Sequence, residues 1–177
     1  MPRKHRIWYP GATYHIMCRG NHRHDIFRDD EDRIFYLTTL RQAQKHYPYT
    51  LHSYCLMTNH VHLQLETHQL EVGQVMKRIN MVYAIYFNRK YHFVGHLFQG
   101  RYCSELIERD DYQLEISKYI HLNPVRANMV ERPLDYPWSS YGFYMEERED
   151  ALVKIGKILD YFAPPRVERY RKYVESR

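Results

Sequence analysis

The sequence predicts an α+β fold of the ferredoxin-like, split βαβ type: an antiparallel sheet with helices on one face, followed by C-terminal helices. Two observations carry this. Short runs of strand-forming residues alternate with long segments of helical period, in the order β-α-β-β-α-β. The two middle strand runs are joined tightly through Thr58-Asn59-His60, as in a hairpin.

The elements follow in order. Thr13 to Cys18 is rich in strand formers and lies between Gly11 and Gly20. Gly20 to His24 is a polar, basic loop. Asp29-Asp30-Glu31-Asp32 is an acidic helix start, complementary to the positive end of the helix dipole. Ile34, Leu37 and Leu40 recur on one face of that helix, which runs toward His46 and stops at Pro48. Thr50 to Met57 and Val61 to Leu65 are the hairpin strands. Leu70 to Tyr91 is a long helical pattern, with Val75, Ile79, Val82 and Tyr86 on one stripe and Lys77, Arg78, Arg89 and Lys90 elsewhere. His92 to Gly100 is a loop, and Arg101 to Ile107 is a fourth strand. A helix from Asp110 to Asn128 carries Leu114, Ile116 and Ile120 and is expected to be interrupted near Pro124.

Residues 1–145 read as one domain, and Glu146 to Asp150 is a charged break. Beyond it, residues 146–177 read as a helical extension too small to be a domain alone. Leu152, Ile155, Ile158, Leu159 and Phe162 predict one amphipathic helix. Pro164-Pro165 interrupts the pattern, and Val167, Tyr170, Tyr173 and Val174 predict another.

Composition bounds the function classes. The chain has 177 residues, 44% of them hydrophobic and 27% charged, an ordinary globular balance. No apolar run is long enough to span a bilayer, and the basic start is not followed by the apolar stretch of a signal peptide. The expected location is therefore cytoplasmic, with no membrane partner. Cys18, Cys55 and Cys103 are odd in number, lack C-x-x-C spacing and lie in strand-like stretches, so they read as small buried hydrophobes in a reducing compartment. A formal charge of +5 permits a nucleic-acid partner. The unusual abundances are 18 Tyr and 12 His, which offer stacking rings, nucleophiles and metal ligands.

His60-Val61-His62 puts two imidazoles at i and i+2 on a strand, hence on the same face and close enough to grip one divalent ion. A chain this rich in histidine yields about one such spacing by chance, and His22-Arg23-His24 in a polar loop is a second instance, read as a solvated basic patch. Tyr119 and Asn123 share a helix face. A tyrosine there is a candidate nucleophile and the amide oxygen a candidate ligand, although Tyr112 is nearly as eligible on spacing alone. Basic segments interleaved with aromatics, Arg3 to Tyr9, Arg19 to Arg28 and Arg89 to Arg101, have the character of surfaces that track phosphates and stack unpaired bases; a plain solvated surface has it too.

Several motifs together carry a resemblance. Tyr54-Cys-Leu-Met-Thr-Asn-His-Val-His-Leu63 resembles the HUH motif of single-tyrosine transposases. Gly95-His-Leu-Phe-Gln-Gly-Arg101 and Lys118-Tyr-Ile-His-Leu-Asn-Pro-Val-Arg-Ala127 are similar, more narrowly, to the REP-associated tyrosine transposases. Trp8-Tyr-Pro-Gly11, Arg19-Gly-Asn21 and Tyr136-Pro-Trp-Ser-Ser-Tyr141 match the same family, in the right order.

The resemblance implies the ferredoxin-like fold and an enzyme that cuts and rejoins single-stranded DNA beside palindromic hairpins. It implies that His60 and His62 bind a divalent metal, Mg²⁺ or Mn²⁺, that Tyr119 is the nucleophile, and that Asn123 stands where related transposases often place Gln as third ligand. Expected nucleic-acid contacts are Arg3, Lys4, Arg6, Arg19, Asn21, Arg23, Lys77, Arg78, Arg89, His96, Gln99, Arg101 and Arg126. An ordinary tyrosine hydroxyl is only about 0.1% ionised at pH 7, so such a nucleophile needs a metal-polarised phosphate. The expected unit is a monomer or homodimer associated with the nucleoid. The competing reading is a hairpin-binding protein that keeps the fold without turnover. An RNA-hairpin binder lacks support in an RRM-type aromatic signature.

Overall fold

A computed structural model describes residues 7–148 and 150–176. The expected contacts Arg3, Lys4 and Arg6 lie outside these residues. The elements are β1 (Thr13–Arg19), α1 (Asp30–His46), β2 (Tyr49–Leu56), β3 (His60–Thr67), α2 (Val72–Tyr91), β4 (Cys103–Ile107), α3 (Asp110–Arg126), α4 (Tyr141–Met145), α5 (Gly156–Leu159) and α6 (Arg166–Glu175). The sheet order is β2-β3-β1-β4 with every pair antiparallel, as a ferredoxin-like fold requires.

Strand alternation sorts the side chains into two layers. Tyr14, Ile16 and Cys18 of β1 and Val61, Leu63 and Leu65 of β3 join one buried cluster with Tyr36 and Leu40 of α1 and Ile79 and Tyr83 of α2. The opposite face carries Cys55 and Met57, which pack with Ile107, Ile116, Ile120 and Tyr136. Helix α3 covers this second face. Ser53 Oγ is 3.0 Å from Ser117 Oγ, and Gln64 Nε2 donates to Gln113 Oε1 at 2.7 Å. Helices α1 and α2 thus share one face as expected, and α3 takes the other. With α3 over its second face, β2 is buried almost continuously rather than at alternate residues.

The ends of α1 and α2 are tied together. Asp29 and Asp32 form a reciprocal capping box, and Lys90 Nζ reaches Asp29 at 2.8 Å and the buried Asp32 at 2.9 Å. Three expectations are corrected. Helix α3 runs through Pro124 to Arg126; the proline sits in the last turn, where the one lost donor does not break the helix. The helix predicted from Leu152 begins only at Gly156, because Val153 pairs in parallel with Leu51 and shields the β2 edge, with Lys154 N donating to the Leu51 carbonyl at 2.9 Å. Cys18 and Cys55 are buried, but Cys103 is exposed at the start of the edge strand β4.

Candidate active site

His60 and His62 project from the start of β3 onto the face that α3 covers, with ring centroids 4.9 Å apart. His60 Nδ1 lies 2.6 Å from Asn59 Oδ1. The orientation of that amide follows from its other end: Asn59 Nδ2 donates to the Arg23 carbonyl at 3.1 Å. Since an amide oxygen only accepts, His60 Nδ1 carries the hydrogen and Nε2 the lone pair. Burial, with the Arg19 charge adding to it, lowers the His60 pKa to about 4. Burial first, then the neighbouring His60, His15 and Arg19, lowers that of His62 to about 2. Both rings are therefore neutral at pH 7, the form that ligates metals.

Tyr119 crosses above this pair on α3. Its ring centroid is 5.5 Å from that of His62, edge to face, and 5.6 Å from that of His15. The Arg126 guanidinium lies 5.2 Å from the Tyr119 ring centre, within cation–π range. Asn123 is half-buried one turn beyond Tyr119, its Nδ2 donating to the Tyr119 carbonyl at 2.9 Å. Tyr112 is held differently: its hydroxyl donates to Glu105 Oε1 at 2.6 Å, and that bond, reinforced by burial, pushes its pKa up to about 12. The structure thus brings Tyr119, not Tyr112, to the histidine pair.

The expected DNA contacts divide. Backbone bonds gather two loops beside His60: Gly20 N donates to the Asn59 carbonyl, Asn21 N to Leu97, and Gln99 N to Arg19, each at 2.8 Å. Arg19, Asn21, Arg23, His96, Gln99 and Arg101 belong to this end of the sheet, and Arg126 borders it from α3. Lys77, Arg78 and Arg89 lie on the exposed side of α2, in the layer behind the sheet, so they do not join the histidine–tyrosine face. His22 and His24 are exposed, as the solvated reading expects.

Two residues of the site escaped the sequence reading. His15 stacks on His62, and Asn59 sets the ring of His60. Alternation in β1 does put His15 with Met17 against Tyr14, Ile16 and Cys18. Only the pairing of Met17 opposite His62 turns that face toward the metal-ligand pair. Among the described residues, no three of His, Cys, Asp and Glu are placed to hold a metal ion together, and no helix is long and apolar enough to cross a membrane.

A ferredoxin-like sheet bearing an H-x-H pair on one face, with a tyrosine on the helix that covers it, defines the HUH single-tyrosine class. Residues 9–123 match the family Transposase IS200 like, and the chain belongs to that family. A REP-associated tyrosine transposase of Haemophilus influenzae is 29% identical over 125 residues, covering 60% of this chain and 69% of that protein. The solved structure of a REP-associated tyrosine transposase bound to a REP hairpin superposes with a TM-score of 0.69 at 14% identity, covering 88% of this chain and 93% of that one. A Deinococcus radiodurans transposase structure gives a TM-score of 0.48 at 22% identity, covering 67% of this chain and 95% of that one.

Proposed function

We propose that this chain binds single-stranded DNA beside a palindromic hairpin and cleaves and rejoins it through Tyr119. The observation that carries the reading is the meeting of Tyr119 with His62, from elements far apart in sequence, at 5.5 Å between ring centres. The hairpin partner is inferred from family membership and from the solved relative that holds a REP hairpin.

The donor set fits a divalent cation. Two neutral imidazoles share one strand face, and the Nδ1 of each is already engaged, by Asn59 and by His15. His60 and His62 would hold the ion, with the Asn123 amide oxygen as third donor and the remaining positions open to DNA oxygens. Mixed nitrogen and oxygen ligation suits Mn²⁺, and Mg²⁺ is the alternative. When bound, the ion offsets charge on the scissile phosphate and aligns it.

The protein's own residues do the rest. The Tyr119 oxygen attacks phosphorus as its phenolic proton departs, forming a P–O bond. The bond from phosphorus to the 3′-oxygen breaks, and that oxygen gains a proton. The products are a 5′-phosphotyrosine and a free 3′-hydroxyl. The bond energy is retained, so another 3′-hydroxyl reverses the step and joins strands without ATP. Arg126 lies over the Tyr119 ring, where its charge helps hold the ring in place.

The test is incubation of the full chain with hairpins that carry unpaired flanks, drawn from the DNA around its own gene, with Mn²⁺. A covalent protein–DNA band on a denaturing gel is expected. Tight hairpin binding with no band under any flank or metal would leave a non-catalytic binder instead.

A further inference from the structure

We infer that His15 is a positioning residue for His62: by accepting a hydrogen bond from His62 Nδ1, it leaves Nε2 of His62 bare and aimed at the metal. This rests on the metal-site reading above and adds a residue to it.

His15 stands on β1, two residues from Met17, which is directly opposite His62. Its Nε2 lies 3.0 Å from His62 Nδ1, and the two rings stack with centroids 5.2 Å apart and planes 18° apart. A neutral imidazole has one donor and one acceptor, so the contact joins the donor of one ring to the acceptor of the other. If His15 donated, His62 would carry its hydrogen on Nε2 and could not ligate through it. If His62 donates, both histidines of the pair present Nε2, because Asn59 already fixes His60 that way. Glu105 stands directly opposite His15 on β4, and a carboxylate at that position favours the arrangement in which His15 is the acceptor. Histidines that bind metals are commonly oriented by such a partner on the second nitrogen, which also raises ligand basicity. On this inference His15 stays outside the coordination shell, its Nε2 being occupied by His62.

The test is calorimetric titration of the full chain with Mn²⁺ in the absence of DNA. His15→Phe keeps a stacked ring and removes the acceptor; His15→Leu is a second acceptor-free variant should His15→Phe fail to fold, as judged by circular dichroism. His15→Gln restores an acceptor oxygen. The acceptor-free variant should bind Mn²⁺ about 10–100-fold more weakly, and His15→Gln should recover most of the loss. Electron spin-echo spectroscopy of bound Mn²⁺ should count two imidazoles in the wild type and two in His15→Gln. Unchanged Mn²⁺ affinity in a folded acceptor-free variant overturns the inference while leaving the metal site standing, as does a third imidazole on the ion that disappears in His15→Gln. A wild-type chain that binds no Mn²⁺ overturns the metal site and this inference together.

Discussion

The Tyr170 hydroxyl, on the last helix, lies 2.7 Å from Nδ1 of His121, two residues beyond Tyr119 on α3, and both groups are fully buried. The same hydroxyl meets Ser117 Oγ at 2.6 Å, and His121 Nε2 meets Ser140 Oγ at 2.7 Å. Burial holds His121 neutral, its pKa lowered to about 3. The extension beyond residue 145 is therefore bonded to the helix that carries the proposed nucleophile, and its Leu152, Ile158 and Val174 enter the main core. We propose that it braces α3.

Tyr170→Phe tests the brace. The ring would still pack, but His121 and Ser117 would each lose a buried partner. A loss of about 1–3 kcal/mol is expected. Thermal melting should register it as a drop of several degrees, with hairpin affinity little changed. A melting curve that does not move would show that the hydroxyl network adds no stability.

Tyr119→Phe should abolish the covalent DNA adduct and leave hairpin binding within a few fold, since only the phenolic oxygen is removed and the ring can still meet His62 and His15. Tyr112→Phe should keep the adduct, because the Tyr112 hydroxyl is committed to Glu105. Denaturing gels with a labelled hairpin check both. An adduct that persists in Tyr119→Phe moves the nucleophile elsewhere.

The strand pair and the loop pair of histidines should behave differently toward metal. His60→Ala or His62→Ala should remove metal-dependent cleavage and most Mn²⁺ heat in a titration. The double change of His22 and His24 should leave both, because these rings stand exposed with centroids 6.2 Å apart at a 51° tilt. Undiminished Mn²⁺ binding in the strand variants would sink the site.

Much of this architecture was legible in one sequence because the signals are local. Period-2 and period-3.6 patterns mark β1 to β4 and α1 to α3, and a three-residue connection marks the hairpin. The H-x-H face follows from strand geometry alone. What stayed hidden depends on pairing between distant segments. His15 becomes part of the site only through the β1–β3 register, and the second face of β2, with Ser53 bonded to Ser117 of α3, is too polar for its burial to show in the sequence pattern. Leu152 and Ile155 fit a helical period, yet a free sheet edge captures the backbone of Val153 and Lys154 between them. Lys77 and Arg78 looked equivalent to Arg19 as basic residues, and only the layering separates them.

Acid should loosen the extension through Glu66. His52 Nε2 lies 2.9 Å from its Oε2, and Lys157 of α5 donates to the same oxygen at 2.5 Å. The His52 bond first, then Lys157, lowers the Glu66 pKa to about 2. A carboxylate depressed in the folded state binds its proton more readily when unfolded. Its stabilisation is therefore present above the ordinary carboxylate value and lost as pH falls toward 2. With solvent screening at this half-buried site, the contribution is about 1–2 kcal/mol. Urea midpoints measured from pH 6 down to pH 3 should fall less steeply in Glu66→Gln than in the wild type. Parallel curves would remove Glu66 from the acid response.

Salt dependence should separate the two basic surfaces. On the proposed mechanism an unpaired strand can bend one phosphate toward Tyr119 beside His62, a distortion that a stacked duplex resists, so hairpins with an unpaired 5′ flank should be cut and blunt duplex spared. The loops that carry Arg19, Asn21, Gln99 and Arg101 meet beside His60, where the Gln99 N–H donates to the Arg19 carbonyl. Lys77 and Arg78 lie behind the sheet on α2, with Arg78 in a groove beside Lys45 and His46 of α1. Each phosphate contact removed should lessen the slope of log affinity against log salt by about 0.7–0.9. Arg19→Gln and Arg101→Gln should each show that change with hairpin DNA, and the paired change Lys77→Gln with Arg78→Gln should not. If Arg101 also reads a base, its loss will depend on the flank sequence; a loss equal across flanks makes it a phosphate anchor. A flatter slope from the α2 pair, with Arg19 and Arg101 silent, would put the DNA on the helical layer and away from Tyr119.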